Sequence, residues 1–129
     1  MSTVVDQLTD GWTAARVSFV VVDRDGRRPW PDAAGVRRVD LAEQPVAEPH
    51  DALVLMREHQ GLVLNGANVP PSERTRAVGQ ALIALACLRT WSLGPAWIVV
   101  EAATELLADP DLPPEALDVS AGGYCLVDA

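Results

Sequence analysis

Apolar residues along this chain recur at two different intervals. Val4, Val5, Leu8, Trp12 and Ala15 follow the three-to-four-residue spacing of a helix, and Ser2 or Thr3 can cap it, with Asp6 three residues after Thr3. Gly11 weakens that helix, since an interior glycine costs about 1 kcal/mol against alanine. Val17 to Val22 is instead a short run dense in β-branched residues that ends at Asp23-Arg24-Asp25-Gly26, which reads as a strand closed by a hairpin turn. Pro29 and Pro31 flank Trp30, so Arg27 to Gly35 reads as an irregular or edge segment, and Val36 to Leu41 resumes an extended pattern.

The stretch Ala52 to Asn65 is open to two readings, a hairpin or a short helix followed by a strand. The hairpin is preferred, because Leu53-Val54-Leu55-Met56 and Leu62-Val63-Leu64 flank Glu58-His59-Gln60-Gly61. Pro70-Pro71-Ser72-Glu73 is a helix start signal, and Ala77 to Leu88 is an apolar run broken only by Gln80, which predicts a central helix. Such a run is too short to span a bilayer, which needs about 20 residues. Gly94-Pro95 stops it, and Val99, Ala102, Ala103, Leu106 and Leu107 then share one helical face, predicting a second helix and an αα-hairpin. Trp97 to Val100 reads alternatively as a strand. Tyr124-Cys125-Leu126-Val127, after Gly122-Gly123, reads as a terminal strand. The pattern as a whole predicts one α+β domain over residues 1–129: an N-terminal helix, a small antiparallel sheet from the N-terminal half, and a C-terminal αα-hairpin packed on it.

Composition narrows the function. The net charge of −8 opposes phosphate neutralisation and attachment to an anionic membrane, so neither nucleic acid nor membrane is an expected partner. All ten fixed cations are arginine, with no lysine. A mean hydropathy of +0.12 is high for so acidic a chain and points to apolar surface covered by a partner. Met1 to Asp10 has neither the basic start nor the apolar stretch of a signal peptide, which predicts a cytoplasmic protein. Cys87 and Cys125 are in no metal-binding or redox spacing and read as reduced thiols.

The sequence holds no phosphate-cradling glycine-rich loop, dinucleotide fingerprint, nucleophile elbow or helical zinc motif, so no cofactor, metal or catalytic residue is assigned. Asp23-x-Asp25-Gly26 resembles the opening of a calcium loop but lacks the closing glutamate, and a turn explains it better. His50, Asp51 and His59 are candidates for a ligand site. On the hairpin reading they lie at opposite ends of one strand, about 30 Å apart, too far for joint ligation.

Charge placement carries more information. Arg16, Arg24, Arg27, Arg28, Arg37 and Arg38 fall in the N-terminal half, whereas Glu101, Glu105, Asp109, Asp111, Glu115, Asp118 and Asp128 follow Arg89 with no cation among them. These halves either pair with each other or present complementary faces to another molecule. The leading expectation is a non-catalytic interaction or assembly protein whose partner is a second copy of itself. Its contact surface is Arg27, Arg28, Trp30, Arg37 and Arg38, since tryptophan and arginine are the usual interface anchors. One alternative is a small enzyme or ligand-binding domain in which Arg37, Arg38, His50, Asp51 and His59 gather around an anionic metabolite. Another is an acidic accessory protein or chaperone that masks a basic partner.

Overall fold

A computed structural model describes residues 3–28, 30 and 35–128. Ser2, Pro29 and Pro31, which figure in the sequence reading, therefore lie outside the described residues. The elements run α1 (Val4–Ala15), β1 (Phe19–Asp23), β2 (Val36–Asp40), α2 (Pro49–Glu58), β3 (Gly61–Asn65), α3 (Arg74–Thr90), β4 (Trp97–Glu101), α4 (Ala103–Ala108) and β5 (Tyr124–Val127). The five strands form one sheet in the order β2-β3-β1-β4-β5, with every neighbouring pair parallel. The architecture is α/β and Rossmann-like.

The antiparallel α+β sheet and the αα-hairpin expected from the pattern are therefore corrected on three points. Val20-Val21-Val22 and Leu62-Val63-Leu64 belong to strands buried on both faces, and such continuous apolar runs are the mark of a parallel sheet rather than a hairpin. Residues 52–65 are not a hairpin but the end of α2 followed by β3. Pro49 sits at the start of α2, and the Asp51 carboxylate accepts the Glu48 N–H at 3.0 Å, a start signal that the branched residues after it obscure. Residues 97–101 are β4, at full burial over Ile98-Val99-Val100, so α3 is followed by a strand and the helical partner in the expected hairpin shrinks to the short α4.

Alternation along the strands divides the core in two. Val20, Val22, Leu62, Leu64, Ile98 and Val100 face α2, α3 and α4, meeting Leu55, Leu82, Leu85 and Leu106. Phe19, Val21, Val63 and Val99 face the other way and meet Val5 of α1 and Trp30. The direction of the connections accounts for the inequality. From β2 to β3, β3 to β4 and β4 to β5 the chain moves the same way across the sheet, so crossovers of one hand place α2, α3 and α4 on one side. Only β1 to β2 moves the opposite way, and it crosses the other face, carrying Trp30. Gly61 helps this thinner face close. It pairs with Phe19, and a Cβ on it would lie 2.4 Å from the Phe19 ring, so the missing side chain makes room for the aromatic one.

Candidate functional site

In open parallel sheets ligands bind beyond the carboxyl ends of the strands, where neighbouring connections leave to opposite faces. Here that place is β1, whose chain departs over the thin face while β3 and β4 on either side send theirs over the thick one. β1 ends in Asp23 and β4 in Glu101, one step past the paired Val22 and Val100, and both side chains are buried on the thin face.

Asp23 organises the loop that follows it. Its Oδ1 accepts the Arg27 backbone N–H at 3.3 Å, and its Oδ2 accepts the Arg28 N–H at 3.4 Å and the Trp30 indole N–H at 3.3 Å. Gly26, at φ +64°, makes the turn and packs against Asn65 and Ala67, closing the crevice towards β3. The loop thereby lays the Arg28 guanidinium across the end of β4. Arg28 Nε lies 3.0 Å from Glu101 Oε1, Nη1 lies 3.7 Å from Asp6 of α1 and donates to Thr3 Oγ1, and the group sits 5.5 Å from the Trp30 ring centroid. Arg28 Nε and Glu101 Oε1 face each other as an ion pair, and both atoms are shut off from water. Burial raises the Glu101 pKa above its ordinary value against the opposing pull of Arg28, with Asp23 and Asp6 adding to the rise. Asp6, by contrast, is held below the usual carboxylate range, first by the Thr3 backbone N–H in the α1 capping box.

A second network fills the thick side of the same edge. Arg24 forks onto Asp25 at 3.0 Å and reaches Thr75 at 3.2 Å, Asp109 at 3.4 Å and Glu105 at 3.5 Å. Arg27 meets Glu105 at 2.6 Å. Thr75 donates to Asp109 at 2.6 Å, the largest cause of that carboxyl's lowered pKa. Arg74 at the start of α3 turns back to the Val69 and Ala67 carbonyls. Arg24, Arg27 and Arg28 thus meet the carboxylates of the second half within one chain, beside the ends of β1 and β4.

Of the interface residues expected from sequence, Arg27 is 57% exposed and paired, Arg28 is mostly covered, and Trp30 lies in the core at 7% exposure. Arg37 and Arg38 are consecutive on the edge strand β2 and point to opposite faces; Arg37 donates to Gln44, and Arg38 borders a cleft of about 280 Å³ with Asp40, Asn65 and Asn68. His50 and Asp51 open α2 and His59 follows its end, about 13 Å apart at the helical rise, so these three do not form one site. Asp23, Glu101 and Asp6 are the residues the sequence reading passed over. For Asp23 and Glu101 the signal was an acid directly after a β-branched run, in Val-Val-Val-Asp and Ile-Val-Val-Glu.

A cleft of about 400 Å³ opens at the opposite end of the sheet beside Arg89 and Tyr124. Arg89 donates to the carbonyls of Pro95, Ala96, Gly122 and Gly123 and stacks on Tyr124 at 4.8 Å, so its charge is spent stapling the two loops that lead into β4 and β5. Among the described residues no group of three or more His, Cys, Asp or Glu side chains could hold a metal ion, and no helix is long and apolar enough to cross a membrane. In comparisons with protein-family models, curated proteins and solved structures, nothing matches this chain.

Proposed function

We propose that this chain is a non-catalytic, cytoplasmic interaction module that associates with a second copy of itself. The observation that carries the reading is the ligand crevice around β1, occupied by the chain's own Arg24 and Arg28 ion pairs instead of by a glycine-rich loop or an open polar pocket. A contact surface is available elsewhere. Trp91 is 58% exposed, Leu93 49% and Trp97 38%, and all three lie where β4 begins, at the end of the sheet remote from the filled crevice. Trp97 is backed by a parallel stack on Trp12 at 5.6 Å, which holds it in a fixed pose. Exposed large apolar side chains on a chain of net charge −8 favour burial between subunits. The free thiols Cys87 and Cys125 are in keeping with a reducing compartment.

Light scattering on a size-exclusion column tests the reading. The expected result is a mass that rises with protein concentration and with salt, which screens the repulsion between two copies of charge −8. The double substitution Trp91→Ser and Leu93→Ser moves the transition to higher concentration. A monomer at every concentration, or a stabilising thermal shift with an anionic metabolite, overturns the proposal.

A further inference from the structure

The two edges of the sheet differ in charge. β2, at one edge, carries Arg37 and Arg38, and a second copy of it laid alongside would set like charges against each other. β5, at the other, reads Tyr124-Cys125-Leu126-Val127, a short run of strand-favouring residues without a charge. An uncharged edge is a template for another strand.

The ladder fixes which backbone groups this edge offers. The Ile98 N–H donates to the Gly123 carbonyl at 2.8 Å, and Ile98 sits beside Tyr124, so Gly123, Cys125 and Val127 turn their backbone groups towards β4. Tyr124 and Leu126 turn theirs outward. Two outward residues separated by one are self-complementary in the antiparallel sense. About a twofold axis through Cys125, Tyr124 of each copy meets Leu126 of the other and exchanges two hydrogen bonds with it.

The side chains suit the same pairing. Tyr124 packs against the thick-face core, so Leu126 shares that face, where it is 42% exposed. Leu126 of the second copy then lies beside Tyr124, which borders the cleft of about 400 Å³ near Arg89. Trp91 and Leu93 belong to the loop that Arg89 ties to the start of β5. Leu107, 52% exposed, stands one turn of α4 beyond Thr104, whose N–H donates to Asp128 at the finish of β5. Twofold pairing brings the start of one β5 against the finish of the other, so exposed apolar side chains meet.

We propose that two copies join by antiparallel pairing of β5 with β5, which merges the two five-stranded sheets into one. This pairing rests on the self-association proposed above and gives it a surface and a symmetry. It also has a consequence that generic apolar contact lacks. Cys125, half-buried on the thin face, falls on the axis opposite Cys125 of the second copy, in a pair without mutual hydrogen bonds and with a Cα separation of about 4.5 Å. A disulfide accepts roughly 4.4–6.8 Å.

The test uses the Cys87→Ala chain, in which Cys125 is the remaining thiol. Diamide takes one hydrogen atom from each of two thiols onto its N=N bond, leaving a disulfide and a hydrazine. The expected product is a reducible covalent dimer whose yield follows the dimer fraction seen by light scattering at each concentration. Hydrogen exchange at the Tyr124 and Leu126 amides should slow by at least about tenfold from dilute to concentrated protein, with the amides of β2 unchanged. Leu126→Lys makes the chain less acidic and so eases repulsion between copies. It should nonetheless weaken association by at least about tenfold and abolish the crosslink, while the thermal midpoint of the dilute protein is preserved. A dimer that shows neither crosslink nor concentration-dependent protection, or one that Leu126→Lys leaves intact, overturns the β5 pairing and leaves self-association standing. A monomer at every concentration overturns both.

Discussion

On one face of the sheet, strand side chains meet three helices and the apolar residues Leu55, Leu82, Leu85 and Leu106. On the other they meet α1, Trp30 and then a set of charges: Asp23, Glu101, Arg28 and Asp6. Both faces exclude water from the strands, by different means. The thick face relies on area, at roughly 25 cal/mol per Å² of apolar surface buried. The thin face has too little helix to cover the strand ends and closes them with an ion pair that must remain matched, because a buried charge without its partner is costly. Tolerance to change should therefore differ between the two.

The largest effect is expected where the thick face is most densely packed. Leu85→Ala removes a fully buried side chain from the middle of α3 and should cost about 3–4 kcal/mol in urea unfolding, whereas Val5→Ala beneath α1 should cost about 2 kcal/mol. Equal costs would remove the distinction between the faces. Arg28→Ala leaves Glu101 buried without its cation and should cost about 3 kcal/mol at neutral pH, and less in acid, where Glu101 takes a proton; Arg28→Met combined with Glu101→Leu should recover most of the loss. A double variant no more stable than Arg28→Ala would show that the ion pair is not what closes this face. Gly61→Ala drives a methyl into the Phe19 ring and should lower stability by about 1–3 kcal/mol, read as a lower thermal midpoint.

The smallest effect is in the pH profile. Glu101 has a raised folded pKa, so the folded state holds its proton more tightly than the unfolded one. Its contribution is fully present below the unfolded value of 4.5 and declines as pH rises above that value. The difference in unfolding free energy between the parent and Glu101→Gln should shrink from pH 4.5 to neutrality. Asp6, Asp40, Asp109 and Asp128 have lowered folded pKa values and act in the opposite sense: their contribution is present above 3.8 and is lost as pH falls below it. A parent-minus-variant difference that does not change with pH would mean that Glu101 is not desolvated.

Much of the core was legible in the chain, because burial leaves a local imprint. Val20-Val21-Val22, Leu62-Val63-Leu64 and, in α3, Val78, Ala81, Leu82, Ala84, Leu85 and Leu88 are all at or near zero exposure. The direction of the strands was less accessible. Asp25-Gly26 carries the chemistry of a hairpin turn, and Gly26 does adopt the positive φ of one, yet the chain passes on to β2 on the far side of β3. α2 was obscured for a related reason: Leu53-Val54-Leu55-Met56 has the composition of a strand, and its helical start lies upstream, at Pro49 and Asp51.

The candidate site was legible only in part, since its members are distant in sequence. Arg24 meets Asp109 across 85 positions and Arg27 meets Glu105 across 78. Segregation of arginine from carboxylate announced that the halves could pair, but not which residue would meet which. Trp30 stood out as an aromatic residue among prolines, and its burial depends on a crossover that no local pattern encodes.

By itself, the sequence determined which residues leave water and where the charges of each sign are stored, because hydrophobic periodicity and composition are properties of neighbouring positions. The tertiary structure alone decided that the strands run parallel, that three helices share one face, and that Asp23 and Glu101 end side by side under Arg28. Those outcomes depend on the hand and direction of crossovers between strands far apart in the chain, and the free energy that selects them appears only when the sheet is assembled.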